Sequence, residues 1–521
     1  MTAVRPPARA GDPPKTVQRL VFAAIVAVVL AGHAWWIHRY RIGFGISEDE
    51  ARLLGDVERF RMAWLSEGPM GLVRAWQLPN DLAPGASLVT APFLGPTHPE
   101  AMAYVELPFL AVLLASVAAI AHRLSGFRAA VLSMLVVATL PGVVWWSRVY
   151  ELIVPGAALW AATIAMLLRS EHLARRWPTI GAGLLLAGGL VTRSMLIGFV
   201  PVLLIGILAQ LVLLGVPALH LARRLARFVV PALLVASTRW VPAGGAMLDY
   251  LLGQGSRDPR SLADIADERD LLVEILGRPA NLLILATVAV AAISLVRRSR
   301  DRAMLRRLLA SDRGLLWWTA IGSFAVLCVV QEEFPGFELI VAVVLVPTAL
   351  SIRWTGTRRV LAIGALAVVV VQATAFLSPR ASWYQAFARQ TGMSVPGDRP
   401  ATSFRAWPAA VDATVDLLDE RLPQDAEPVL VASPQPYFRA AHLRLATYWR
   451  SSPLSYREVD GLPSDPLDRA ALIADASAAV TVDGSATVDA VDHLLRRGGF
   501  RIVRRIALPS GQVVEVWLPV R

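Results

Sequence analysis

The chain has 521 residues, 55% of them hydrophobic and only 17% charged, with a mean hydropathy of +0.52. Soluble domains are about half apolar and a quarter charged, so this composition excludes a soluble enzyme and points to a polytopic membrane protein. The net charge of +11 does not mark a nucleic-acid binder: Lys15 is the only lysine, and the arginines cluster in short loops between apolar stretches, where they set topology.

In chain order, residues 1–19 form a basic tail with Arg5, Arg9, Lys15 and Arg19. No small-residue cleavage site follows the first apolar run, so a cleavable signal peptide is not expected. Eleven apolar runs then approach the length that crosses about 30 Å of hydrocarbon. They are Leu20 to Trp36, Ala103 to Ala121, Ala129 to Trp146, Ile153 to Leu168, Ile180 to Val191 and Met195 to Val216, followed by Phe228 to Trp240, Leu282 to Val296, Leu315 to Val330, Leu339 to Ile352 and Val360 to Leu377. Arginine groups follow the second, fourth, sixth, eighth and tenth of these, at Arg123, Arg169, Arg223, Arg297 and Arg353. By the positive-inside rule those loops are cytoplasmic, so the N-terminus lies inside and the C-terminus outside. Merging the two runs that flank Arg193 would break the alternation.

Three segments are then expected outside: residues 37–102, residues 241–278 and residues 379–521. The first contains GISEDEARLL (45 to 54), followed by Leu53, Val57, Phe60 and Trp64 at helical spacing, with Arg52, Glu58 and Arg59 on other faces. That pattern predicts an amphipathic helix along the membrane surface, punctuated by Gly68, Pro69, Pro79 and Pro84. The segment 379–521 is polar. It alternates strand-like PVLVAS, AVTVDG, FRIVRR and QVVEVWL with helix-like Ala409 to Glu420 and Ser485 to Arg497, which predicts a small extracytoplasmic α/β domain. The single cysteine, Cys328, sits in an apolar run, so no disulfide framework or thiolate metal site is expected.

Chemistry concentrates at the outer face. Glu48, Asp49 and Glu50 are interfacial carboxylates able to take a proton from an attacking hydroxyl. The plainer account is a helix start, since Ser47 followed three residues later by Glu50 matches a capping box. Both hold together if the cap fixes where Asp49 points. Arg148 in WWSRVYE, Arg193 in LVTRSML and Arg239 in STRWVP fall on the outer side against the general trend, as cations able to hold a lipid phosphate bidentately. Their plainer account is snorkelling, or pairing with Glu106 or Glu151. Tyr150, in the same run as Arg148, is a candidate contact to acceptor or sugar. So are Glu332 and Glu333 in QEEFPGF, although a solvated loop also explains them. His98 is a lone histidine, and the Trp pairs at 35 to 36, 145 to 146 and 317 to 318 read first as interfacial belts. No P-loop, GxGxxG, GxSxG or HExxH stands in a usable context, so nucleotide hydrolysis, hydride transfer and zinc proteolysis lack support, and a transferase would need a donor that reaches the outer face already activated.

With an N-terminal span and an outer loop opening on Asp49-Glu50-Ala51-Arg52, the chain resembles the GT-C superfamily of integral-membrane glycosyltransferases. It is most like the branch containing protein O-mannosyltransferases and the lipid A aminoarabinose transferase. LPNDLAPGASLVTAPFLG stands where that branch has a proline-rich segment, with its Pro-Pro pair replaced by Pro84-Gly85. LPGVVWWSRVYELIVPGAAL resembles the stretch around its third and fourth spans, and GGLVTRSMLIGFVP places Arg193 where lysine is usual. The resemblance covers roughly the first 220 residues.

It implies a GT-C-like membrane body and a polyprenyl-phosphate sugar donor entering from the bilayer, with its phosphate held by Arg193, Arg148 and Arg239. Asp49 would be the general base of an inverting transfer to an acceptor glycan, lipid or protein, with Glu48 or Glu50 orienting that acceptor. A divalent cation is compatible with so many carboxylates, but no ligand set is legible, and no metal site is assigned. The expected setting is the outer face of a bacterial cytoplasmic membrane. The competing class is a lipid or amphiphile transporter without transfer chemistry, which would call for mid-span charges and related halves that the sequence does not show.

Overall fold

The computed structural model describes residues 13–42, 46–78, 85–94, 99–255, 272–273, 275–298, 302–329, 338–351, 358–377, 406–423, 425–433, 438–450, 452–459, 466–483, 486–508 and 511–520. The body is helical: α1 (Lys15–Trp36), α2 (Glu48–Gln77), α3 (Gly85–Thr90), α4 (Glu106–Ser125), α5 (Phe127–Thr139), α6 (Pro141–Trp146), α7 (Ile153–Arg169) and α8 (Arg176–Thr192). It continues with α9 (Val200–Leu213), α10 (Ala218–Gly255), α11 (Arg278–Arg298), α12 (Arg302–Leu309), α13 (Asp312–Val329), α14 (Glu338–Leu350) and α15 (Arg358–Leu377). Among the described residues three helical stretches, Lys15–Arg39, Pro99–Ser125 and Ser194–Leu213, are long and apolar enough to cross a membrane, and shorter apolar helices such as Ile153–Arg169 and Glu338–Leu350 accompany them.

At the centre, α7 is buried nearly all round. Ala157, Ala158, Ala161 and Ala165 let α4 and α8 approach it closely, and Leu110, Leu113, Val117 and Leu186 fill the space between. Small residues suit this position because packing, rather than hydrophobic transfer, drives helix association in lipid.

The element boundaries depart from the expected spans where the chain breaks its own helices. The run Ala129 to Trp146 is cut at Leu140, since Pro141 starts a new helix and cannot continue the old one. The expected outer loop 241–278 begins instead as helix: α10 runs on to Gly255 through Pro231 and Pro242. At Arg193 the backbone is extended (φ −142°, ψ 99°) between α8 and a 3-10 turn, Ser194–Phe199, so two elements do meet there. The amphipathic helix is interrupted at its expected punctuation: Gly68 (φ 59°, ψ −141°) leaves helical geometry ahead of Pro69, so α2 is two helical segments joined at a kink. Leu53, Val57 and Phe60 are buried as the pattern required, but Trp64 is exposed, and Glu58 is fully buried, held by Arg61 at 2.6 and 2.7 Å.

The C-terminal unit carries α16 (Ala406–Arg421), β1 (Val429–Ala432), α17 (Ala440–Arg450), β2 (Tyr456–Glu458), α18 (Pro466–Ala474), β3 (Ala478–Val482), α19 (Ala486–Arg497), β4 (Phe500–Ala507) and β5 (Val513–Pro519). The strand order is β2-β1-β3-β5-β4, with β1 parallel to β2 and β3, and β5 antiparallel to β3 and β4. Side chains alternate between faces with period two. Val429, Val431, Val480 and Val516 meet Trp407, Val415 and Leu443 on one face, while Leu430, Ala479 and Trp517 meet Leu472, Val491 and Leu495 on the other. Helices therefore cover both faces, as a sheet with a parallel centre requires.

Candidate functional site

The expected capping box is formed. Ser47 Oγ accepts the Glu50 N–H at 3.2 Å, and the Ser47 N–H donates to Glu50 Oε2 at 2.9 Å. Such a cap fixes the first turn of a helix and the direction its side chains leave it. Glu50 does more than cap. It is buried, ion-paired with the buried Arg41, and its Oε1 accepts the Tyr150 N–H at 3.0 Å. Its oxygens are engaged inside the protein, where they join α2 to two distant parts of the body. Asp49, one residue earlier, is exposed and makes no hydrogen bond among the described residues.

The turn between α6 and α7 closes over the same spot. Leu152 is held at φ 60°, a conformation that costs a residue with a Cβ about 1–2 kcal/mol. Its N–H donates to Glu106 Oε1 at 3.3 Å. That turn brings Glu151 within electrostatic reach of Glu50, Asp49, Arg193 and Arg41. Burial, then the Glu50 and Asp49 charges, push the Glu151 carboxyl up to about 8 against the pull of Arg193 and Arg41. Sequence reading cast Glu151 only as a partner for arginine. Its place beside Asp49 depends on a turn whose geometry no local pattern announces.

The three arginines expected on the outer side part company. Arg193 lies in reach of Glu151 and Glu106, and its stem runs along Gly156 of α7, where an added Cβ would sit 3.4 Å from Arg193 Cβ. Gly85, from the altered Pro84-Gly85 pair, abuts the backbone just before Arg193: an added Cβ would come within 2.6 Å of the Val191 carbonyl oxygen. A glycine there permits the close approach of α3 to the end of α8. Arg148 is buried with its guanidinium 4.2 Å from the Trp36 ring centroid, a cation–π contact to α1. Arg239 is fully buried and donates through one nitrogen to the carbonyls of Trp76 and Leu78, both at 2.7 Å. Arg148 and Arg239 are thus held by partners within the fold, since a guanidinium removed from water takes the acceptors the fold supplies.

Tyr150 is also buried, its hydroxyl 2.7 Å from Thr90 Oγ1. Trp146 is buried too, unlike the exposed Trp35 and Trp318. The side chain of Glu48, and all of Glu332, Glu333 and His98, lie outside the described residues. Among the described residues no group of three or more His, Cys, Asp or Glu side chains is arranged to hold a metal ion.

The C-terminal unit reaches the site through α17. Leu445 packs in the cluster of Ile46, Leu54 and Val57, and His442 Nε2 stands 2.9 Å from the Ile46 carbonyl oxygen. A groove of about 900 Å³ lined by Arg421, Arg497 and Arg501 lies at the end of the sheet where β1, β3 and β4 begin. Arg421 and Arg497 complement the C-terminal ends of α16 and α19, and Arg501 is on β4.

No family model and no curated protein matches the chain. Solved structures do. ArnT from Cupriavidus metallidurans bound to undecaprenyl phosphate superposes with a TM-score of 0.58 at 16% identity, covering 96% of this chain and 98% of that one. The arabinofuranosyltransferase AftD from Mycobacteria gives 0.54 at 14% identity, over 96% of this chain and 40% of that one. The Archaeoglobus fulgidus oligosaccharyltransferase in complex with Zn and sulfate gives 0.51 at 12%, over 88% and 67%. The chain thus has the fold of the GT-C glycosyltransferases, a helical membrane body carrying a small C-terminal sheet domain.

Proposed function

We propose that the protein is a membrane glycosyltransferase that moves a sugar from a polyprenyl-phosphate donor to an acceptor hydroxyl at the outer face of a bacterial cytoplasmic membrane. The observation that carries this reading is the exposed Asp49 on a first helical turn fixed by its buried neighbour, Glu50, with Glu151 in electrostatic reach of both Asp49 and Arg193. The fold shared with ArnT, which was solved with undecaprenyl phosphate, supports a lipid-carried donor. In this scheme Arg193 holds the donor phosphate. The acceptor oxygen attacks the anomeric carbon from the opposite side, the bond from that carbon to the phosphate oxygen breaks, and the lipid phosphate leaves with the electron pair. Asp49 takes the acceptor proton. Glu151, neutral below pH 8, adds no second negative charge where the donor phosphate must sit.

The test is Asp49→Asn in purified protein given polyprenyl-phosphate sugars and a panel of glycan, lipid and peptide acceptors. Transfer should fall by about 10²–10⁴-fold, the range for loss of a general base, with the folded yield unchanged. Transfer at the unaltered rate would refute the assignment.

A further inference from the structure

We infer that His442 is a positioning residue for the transfer, through which the C-terminal domain holds the backbone that presents Asp49. The inference rests on the reading of Asp49 as the general base and extends it to a residue from the far end of the chain.

The geometry runs as a chain of bonds from the sheet to the first turn of α2. Glu458, at the end of β2, accepts the Ala440 N–H at 2.5 Å and an Arg439 guanidinium nitrogen at 3.2 Å, which fixes the start of α17. A carboxylate at a helix N-terminus is well placed, because the first N–H groups of a helix have no internal partner. The Arg439 N–H then donates to His442 Nδ1 at 3.1 Å. With Nδ1 an acceptor, the ring proton is on Nε2, and that nitrogen donates to the Ile46 carbonyl at 2.9 Å. Ile46 immediately precedes the Ser47 cap, and Asp49 follows three residues after it. Leu445, one turn along α17, is buried in the same cluster as Ile46 and Leu54.

The first turn of α2 is therefore held from two sides. Arg41 and the Tyr150 N–H take Glu50 from the membrane body, and His442 takes the Ile46 carbonyl from the C-terminal domain. Burial keeps the imidazole neutral and its tautomer fixed, pushing its pKa down to about 4, with Glu50 and Arg439 the charged groups in reach. No substrate contact is required of His442. Its effect passes through the Ile46 carbonyl to the direction in which Asp49 leaves the helix, and a small misplacement of a catalytic group costs up to about 10²-fold in rate.

Two variants separate the two hydrogen bonds of the ring. His442→Gln keeps an N–H donor at the reach of Nε2, while His442→Asn keeps an acceptor at the place of Nδ1 but is too short to reach Ile46. The expected result is a kcat within about threefold of the unaltered protein for His442→Gln and a fall of about 10- to 100-fold for His442→Asn, with the KM for donor unchanged in both. Equal kcat values for the two variants, or a loss carried entirely by KM, would overturn the inference. If His442→Asn is not recovered folded, His442→Gln decides alone: a folded protein that has lost tenfold or more in kcat despite the retained donor also overturns it. Asp49→Asn run alongside keeps the two claims apart. Full transfer by that variant defeats the general-base reading, whereas its inactivity combined with unaltered kcat in both His442 variants defeats only the role of His442.

Discussion

The two ends of α2 are anchored by opposite chemistry. At the N-terminal end a buried carboxylate, Glu50, accepts from Arg41, the Ser47 N–H and the Tyr150 N–H. At the C-terminal end a buried guanidinium, Arg239, donates to the carbonyls of Trp76 and Leu78, while Trp76 Nε1 donates to the Thr238 carbonyl at 3.1 Å. The difference follows from the helix itself. Its first turn has spare N–H groups and draws in an acceptor, and its last turn has spare carbonyls and draws in a donor. Between the two anchors Trp64, Leu65 and Met70 are exposed, an apolar stretch suited to the bilayer surface. The lesson is that charge alone does not mark chemistry: of two neighbouring acids one is buried in an ion pair and one is exposed, and of three arginines singled out in the sequence one lies within reach of the acids.

If the N-terminal anchor places the catalytic group and the C-terminal anchor only holds the helix down, damage at the two ends should differ in kind. The largest effect is expected from Glu50→Gln, which removes the carboxylate charge paired with the buried Arg41. Breaking a buried ion pair costs about 3–5 kcal/mol, so thermal denaturation in detergent should show a large loss of stability, and whatever protein stays folded should transfer poorly. Arg239→Met at the other end leaves two carbonyls without their donor, at about 1–3 kcal/mol. Its thermal midpoint should fall, yet kcat should stay within a few-fold; a kcat loss matching that of Glu50→Gln would erase the distinction between the ends.

Next in size is the pH response of Glu151. Its folded-state value of about 8 lies above the ordinary 4.5, so its contribution to stability is complete below pH 4.5 and is lost as pH rises through 8. In the proposed scheme, over the same rise its charge would come to repel the donor phosphate and to compete for Arg193. Activity should therefore fall by roughly tenfold per pH unit above about 8, and Glu151→Gln should remove that limb from the pH–rate profile. The smallest effect belongs to Ser47→Ala, which loses one side of the capping box for about 1 kcal/mol. Because Arg41 and Tyr150 still hold Glu50, transfer by this variant should drop only slightly, as initial rates at saturating donor would show.

Much of the local structure is legible along the chain. Ser47 and Glu50 sit three apart, so their reciprocal bonds are a property of a short segment, and the strands around Val429, Val480 and Val514 announce themselves by apolar runs between turns. The break at Arg193 follows from a charge placed in an apolar run. By contrast, β2, α17 and α18 carry no comparable signal, and α17 turns out to be the element that touches the site.

Hydropathy, arginine placement and the capping spacing were enough to specify a membrane body, a polar α/β tail and a carboxylate at a helix start, since each depends on neighbours within a turn or a span. Which acid is buried and which exposed, whether an arginine meets an acid, an indole ring or a carbonyl, and that a histidine almost four hundred residues away grips Ile46 were fixed by packing. Those partners lie 100 residues apart for Glu50 and Tyr150, 163 for Arg239 and Trp76, and 396 for His442 and Ile46. At such separations nothing in the local pattern constrains the pair, and only the assembled helices bring the two groups within bonding distance.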